Sequence, residues 1–187
     1  ARICEPILLQ LDVDNTGGDN GGMSYVIRLT DGTFVIIDGG YNEKDYYHAR
    51  QLYELMESQN VLDKVTIAAW IITHPHSDHF GTLVKGYSQF TKFKVERVFA
   101  NFWDEGTFEA FKSAKDTFAP GKYTTYTQTP GIAEKLGAEY IVPHVGQVWW
   151  FGDTAFEFLY ILYTAIPVGV IHKFVLLVEL HVEVGIV

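Results

Sequence analysis

Four residues within six positions carry most of the chemical information in this chain. They are His74, His76, Asp78 and His79, in the run Thr73-His74-Pro75-His76-Ser77-Asp78-His79-Phe80-Gly81. Imidazole nitrogens and carboxylate oxygens are the ligands zinc accepts at sites that keep a position open for chemistry. In an extended or turning segment, residues two apart point the same way, so His74 and His76 can grip one ion. Asp78 and His79 are adjacent and diverge, which suits a second ion. Two ions about 3.5–4 Å apart can share a hydroxide and clamp both the attacking and leaving oxygens of a hydrolytic step. Pro75 restricts His74 to an extended geometry, and Gly81 permits a tight turn or a close backbone approach beneath the site. A single His is usually a surface or core residue, and a pair two apart is commonplace. The pattern H-x-H-x-D-H at the end of a strand is much harder to obtain by chance, and three of the chain's seven His fall inside it.

The elements that must position these residues are legible around them. Val65–Ile72 is the most apolar strand candidate and lacks strict alternation, as expected of a central strand covered on both faces; the ligand run opens a loop at its end. Ser24–Leu29 and Thr33–Ile37 are β-branched runs joined through Asp31-Gly32, a hairpin signal, and Asp38-Gly39-Gly40 ends the second of them. Asn42 is placed to cap a helix reaching about Ser58, with Ala49, Leu52, Tyr53 and Met56 on one face. Before the hairpin, Ile7–Val13 is apolar and Asp14–Gly22 consists of turn formers. Downstream, the pattern predicts a strand at Val95–Asn101, a helix near Thr107–Thr117, a loop at Ala119–Gln128, a short helix near Pro130–Leu136 and a strand at Tyr140–Val142. A second hairpin, Val148–Phe151 with Ala155–Leu162, turns at Gly152-Asp153-Thr154. Val168–Val187 reads as strand. Interleaved strands, helices and hairpins imply an α/β sandwich with mixed sheets.

At 187 residues the chain has the length of about one domain. Hydrophobic residues make up 48% and charged residues 20%, which excludes disorder and repeat architectures. The net charge is −9, so the overall field does not steer the chain towards nucleic acid or anionic membrane. Cys4 is the one cysteine, which excludes an intrachain disulfide and a cysteine-rich zinc cage. No run reaches the ~18 uncharged apolar residues of a membrane helix; Val168–Val187 is interrupted by His172, Lys173, Glu179, His181 and Glu183. A leader removed before Ala1 would leave the same sequence, so the compartment, cytoplasmic or exported, stays open. Lys85, Lys92 and Lys94, interleaved with Phe90 and Phe93, read as a solvated surface before they read as a phosphate contact. Trp149, Trp150, Phe151 and Tyr160 read as core.

The run at 73–81 resembles the signature of the metallo-β-lactamase superfamily. Ser24-Tyr25-Val26-Ile27-Arg28-Leu29, Asp31-Gly32-Thr33 and Ile36-Ile37-Asp38-Gly39-Gly40 resemble its N-terminal hairpin, which ends in an Asp-Gly pair before the first helix. Among bacterial branches, Val145-Gly146-Gln147, Phe151-Gly152-Asp153-Thr154 and Phe156–Tyr160 are most similar to the DNA-uptake competence-protein type. The resemblance implies an αββα sandwich of two mixed sheets flanked by helices, with the metals at one edge. It implies that His74 and His76 bind the first metal, and that Asp78 and His79 bind the second. Asp78 would also orient the metal-bound water, and Asp38 would sit beneath as an outer acceptor holding a ligand loop. Two zinc ions are implied, with manganese or iron as alternatives.

Such a protein would be a metal-dependent hydrolase using a zinc-bound hydroxide on an ester-type or phosphodiester bond of a small-molecule or phosphodiester substrate. A catalytically silent binding domain on the same scaffold is the alternative. Nucleic acid as a partner follows from the branch resemblance and is opposed by the charge. The chain departs from the family after about residue 100. A third His, a bridging Asp and a final His are normal, and the downstream candidates are His144, His172, His181, Asp104, Asp116 and Asp153. His144 reads as a strand end before a turn, Asp153 as a hairpin turn, and His172 and His181 as surface or core. One domain, 1–187, is therefore expected, with its second half incomplete: a C-terminal segment absent, or residues missing near Tyr163–Val170.

Overall fold

The computed structural model describes residues 2–11, 23–41, 47–73, 77–102, 127–160 and 177–182. The expected cap at Asn42, the helix near 107–117 and the residues His74, Pro75, His76, Asp104, Asp116 and His172 lie outside them. Three short strands come first: β1 (Ile7–Gln10), β2 (Ser24–Arg28) and β3 (Phe34–Asp38). After β3 come helix α1 (Tyr47–Gln59), strand β4 (Thr66–Ile72) and helix α2 (Ser77–Gly86). A single 3-10 turn at Tyr87–Phe90 leads into β5 (Lys94–Val95) and β6 (Arg97–Ala100). Helix α3 (Thr129–Leu136), β7 (Glu139–Ile141), β8 (Val148–Phe151), β9 (Thr154–Tyr160) and β10 (Leu177–Val182) complete the described elements.

Two sheets face each other. The first runs β1-β2-β3-β4-β6-β7, with β5 also paired to β4. It is mixed: β1, β2 and β3 are antiparallel, and β3, β4, β6 and β7 are parallel. The second, β10-β9-β8, is antiparallel over its described strands. There the chain doubles back through Gly152-Asp153, with Gly152 at φ +61°, as a tight two-residue turn requires. The β2–β3 hairpin turns at Asp31-Gly32, with Gly32 at φ +81° and Asp31 Oδ1 accepting from Thr33 N at 2.9 Å.

One face of the first sheet is buried under helices. Ala49, Leu52 and Met56 of α1, Phe80, Leu83 and Val84 of α2, and Ile132, Ala133 and Leu136 of α3 pack with Phe34, Ile36, Ile67, Trp70 and Val98. Among the described residues, every helix packs on this face. Each fully buried Leu or Met is worth roughly 1.5–3 kcal/mol. The opposite face meets the second sheet through Val35, Ala69, Ile71 and Phe99 against Phe151, Phe156 and Phe158. Trp149 joins this cluster, whereas Trp150 is 54% exposed, so the expectation of core fails for that residue. Alternation along β8 puts the two Trp on opposite faces.

The irregular pattern of β4 has a second cause besides burial on both faces. Phe34 pairs with Ile67 but Val35 pairs with Ala69, so Ala68 is an extra residue, a β-bulge. Ile67 and Trp70, three apart, therefore share the helix face, and so do Val95 and Val98 on the neighbouring strands. Helix α3 starts with Pro in its first turn and ends at Gly137, φ +71°, whose N–H bonds to the last turn of the helix.

Candidate metal centre

The register brings the carboxyl ends of β3, β4, β6 and β7 to one edge, through Ile37–Ile71, Ile72–Ala100 and Phe99–Ile141 pairs. In open α/β sheets, ligands bind outside this edge. Asp38 ends β3 there, and Thr73 follows β4. Asp38 is fully buried and is the one non-glycine with positive φ, +61°, among the described residues. Its Oδ1 accepts from Thr73 N at 2.8 Å and Thr73 Oγ1 at 3.0 Å. Its Oδ2 lies 2.7 Å from Thr73 Oγ1 and 2.8 Å from His79 Nδ1. An ionised carboxylate can only accept, so Nδ1 of His79 carries the proton and the ring's lone pair is on Nε2. That Nε2 lies 3.6 Å from Asp78 Oδ2.

Asp78 and His79 do not sit in a loop as the sequence suggested. They occupy the first turn of α2, which begins at Ser77. The reason is tertiary: α2 buries Phe80, Leu83 and Val84, and Thr82 docks on the Gly39-Gly40 turn. Thr82 N donates to Gly40 O at 3.2 Å, and Met23 N donates to Asp78 O at 3.4 Å. A Cβ on Gly39 would stand 3.0 Å from Thr82 Cβ, and Gly40 has φ +77°. The Gly pair thus lets the helix approach close enough for His79 to reach Asp38. An acidic residue in a first helical turn also suits the helix dipole. Gly81, expected in a turn, is inside α2.

Of the sequence-derived ligands, the structure brings Asp78 and His79 together over Asp38; His74 and His76 lie outside the described residues. Among the described residues no group of three or more His, Cys, Asp or Glu converges as an ion site. His144 is at the same edge, beyond β7, where it opens the turn expected of it: Gln147 N donates to its carbonyl at 3.1 Å. Two strand spacings, roughly 10 Å, separate the ends of β7 and β4. Asp153 is at the opposite edge, in the β8–β9 turn, where its carboxylate accepts from the Thr30 hydroxyl of the β2–β3 hairpin. That bond holds Asp153 below the usual carboxylate range. In β10, His181 pairs with Ala155, beside that same distant turn. Of the lysines weighed as phosphate contacts, Lys94 opens β5 at the distant edge and bonds Glu96 at 2.6 Å, while Phe90 and Phe93 are core.

Sequence reasoning gave no part to Thr73, Thr82 or Trp70. Thr73 had a readable signal, since it joins the central strand to the first His. Thr82 and Trp70 act through contacts 42 and 32 residues away in sequence, which no local pattern reveals.

A two-sheet α/β sandwich with imidazole and carboxylate at the carboxyl ends of its parallel strands defines a class of metal-site scaffolds. The chain belongs to the metallo-beta-lactamase superfamily, whose family model matches residues 17–159. Members of that superfamily are mostly metal-dependent hydrolases, and they bind divalent zinc or iron. No curated protein matches the chain. Among solved structures it is similar to the metallo-beta-lactamase fold protein YhfI from Bacillus subtilis, at 11% identity, TM-score 0.47, over 87% of this chain and 55% of that one. It is also similar to MEM-A1, a subclass B3 metallo-beta-lactamase from a soil metagenome library, at 14% identity, TM-score 0.44, over 83% and 49%. A mutant flavo di-iron protein from Thermotoga maritima matches at 17% identity, TM-score 0.45, over 85% and 35%. The chain thus spans between about a third and just over half of the length of these proteins. No helix among the described residues is long and apolar enough to cross a membrane.

Proposed function

We propose that this chain carries the metal site of a hydrolase acting on an ester-type or phosphodiester bond, with His74, His76, Asp78 and His79 as ligands. The single observation that supports it best is the buried Asp38 carboxylate on His79 Nδ1. Metal-bound His generally donates its other ring N–H to such an acceptor, which fixes the tautomer and aims Nε2. The donor set therefore fits zinc, or iron or manganese. A bound ion of this kind would polarise the scissile group and lower the pKa of coordinated water from 15.7 to about 7. The chain's own residues do the rest. Asp38 orients the imidazole of His79 and, through Thr73 N and Oγ1, fixes the backbone from which His74 departs. Asp78, with its side chain 22% exposed beside His79, is placed to accept a proton from water or substrate.

The competence-protein branch, and with it a phosphodiester substrate, is part of the proposal. It is supported by the hairpin of β8 and β9 at the residues that carry the resemblance. The −9 charge favours a short phosphodiester over a long polyanion. The second reading, a silent binding domain, is favoured by the position of Asp153 and the backbone of His181 at the distant edge. A screen of zinc- and manganese-loaded protein on bis-phosphodiester, lactone, thioester and β-lactam substrates separates the two. Hydrolysis that disappears in His76→Ala with Asp78→Ala supports the enzyme; hydrolysis unchanged in that variant defeats the metal mechanism.

A further inference from the structure

The Asp38 peptide is held by a residue outside the H-x-H-x-D-H run. Trp70, fully buried in the centre of β4, donates its indole N–H to the Asp38 carbonyl at 2.8 Å. A buried indole needs an acceptor, but this acceptor belongs to the one described non-glycine residue in the left-handed region. That conformation costs on the order of 1 kcal/mol or more and persists only where its surroundings over-determine it. On one side of Asp38, pairing of β3 with β2 (Ser24 opposite Asp38) fixes the preceding peptide. On the other side, the indole fixes the following one. With both flanking peptides set, the direction of the Cα–Cβ bond is set, and the carboxylate is aimed at Thr73 and His79. The ring is itself held edge-on against Phe90, centroids 5.0 Å apart and planes at 83°.

We propose that Trp70 is a positioning residue of the metal site, whose indole N–H locks the Asp38 backbone and through it the tautomer and aim of His79. The inference rests on the metal reading only for its consequence in ion binding; its geometric content concerns the metal-free protein. The test is made on the full 187-residue chain. In the parent, nitrogen-15 NMR of neutral imidazoles is expected to show His79 protonated on Nδ1. Trp70→Phe keeps an aromatic ring and removes the N–H; it is expected to shift His79 towards the Nε2–H form and to weaken zinc binding about tenfold. Phe90→Leu loosens the same packing without touching the indole bond, and is expected to leave the tautomer as in the parent. A Trp70→Phe protein with the parent tautomer, or a Phe90→Leu protein equally perturbed, overturns the proposal. Should Trp70→Phe not fold, deuterium exchange of the parent decides. The indole N–H must exchange as slowly as the core amides of β4, and exchange at the rate of a solvent-exposed indole overturns the proposal. Failure of the parent to bind zinc, with the tautomer still dependent on Trp70, would sink the metal reading and leave this role standing.

Discussion

Asp38→Asn is the most informative single change in the site. The two side chains have the same shape, and Asn tolerates the left-handed backbone as well as Asp does, so φ +61° is kept. What changes is the donor count. The carboxylate meets three donors, Thr73 N, Thr73 Oγ1 and His79 Nδ1, with no access to water. The amide has one acceptor oxygen and an NH₂. With that oxygen kept on Thr73 N, the NH₂ faces His79 Nδ1 and two N–H groups oppose each other. The cheapest relief is migration of the ring proton to Nε2, the atom required for a metal. A charge-assisted bond worth about 1.5–3 kcal/mol becomes a neutral one worth about 1. The expected loss of stability is about 1–2 kcal/mol, or roughly 2–8 °C in Tm for a chain of this size. Zinc affinity is expected to fall about 10- to 100-fold. Nitrogen-15 NMR reads the tautomer, thermal unfolding the stability, and competition with a chelator the affinity. An Asp38→Asn protein that keeps the proton on Nδ1 and binds zinc like the parent would refute the reasoning.

Two further outcomes follow from packing and burial. Gly39→Ala puts a Cβ 3.0 Å from Thr82 Cβ and should push α2 off the Gly39-Gly40 turn; a loss of about 1–3 kcal/mol in urea unfolding is expected, with the His79–Asp38 bond weakened alongside. Burial pushes the Tyr140 phenol up to about 12. The folded state therefore favours the neutral phenol, and this contribution, at most about 2–3 kcal/mol, is intact below pH 10 and lost as pH rises towards 12, where the unfolded chain ionises first. Tyr140→Phe should flatten that alkaline decline and cost about 1 kcal/mol at neutral pH for its lost bond to the Ala100 carbonyl, as urea midpoints across the alkaline range would show.

Much of the framework was legible because local chemistry and tertiary context agree. The Asp31-Gly32 and Gly152-Asp153 turns need backbone conformations that Gly adopts readily, so their hairpins could be read. Ala49, Leu52 and Met56 show α1 by spacing alone, and Gly137 marks the end of α3. The site was harder. Polar residues from Ser77 to His79 look like a loop, and only burial of Phe80, Leu83 and Val84 with docking of Thr82 makes them helical. The bulge at Ala68, which puts Trp70 on the helix face, has no signature in a run of apolar residues. Asp38 was reached through resemblance; its positive φ and its Trp70 partner were not, because both depend on strands brought together by the fold. Asp153 was separated from the ligands correctly, since a Gly-Asp between two apolar runs signals a turn.

The central claim is that this edge of the sandwich holds metal through the H-x-H-x-D-H run. Elemental analysis of the full chain, purified without chelator, tests it most directly, with His76→Ala and Asp78→Ala analysed beside it. The account predicts about two equivalents of a divalent ion, zinc first, in the parent and a clear loss in both variants. A folded parent without metal, or variants that retain its full content, would contradict it.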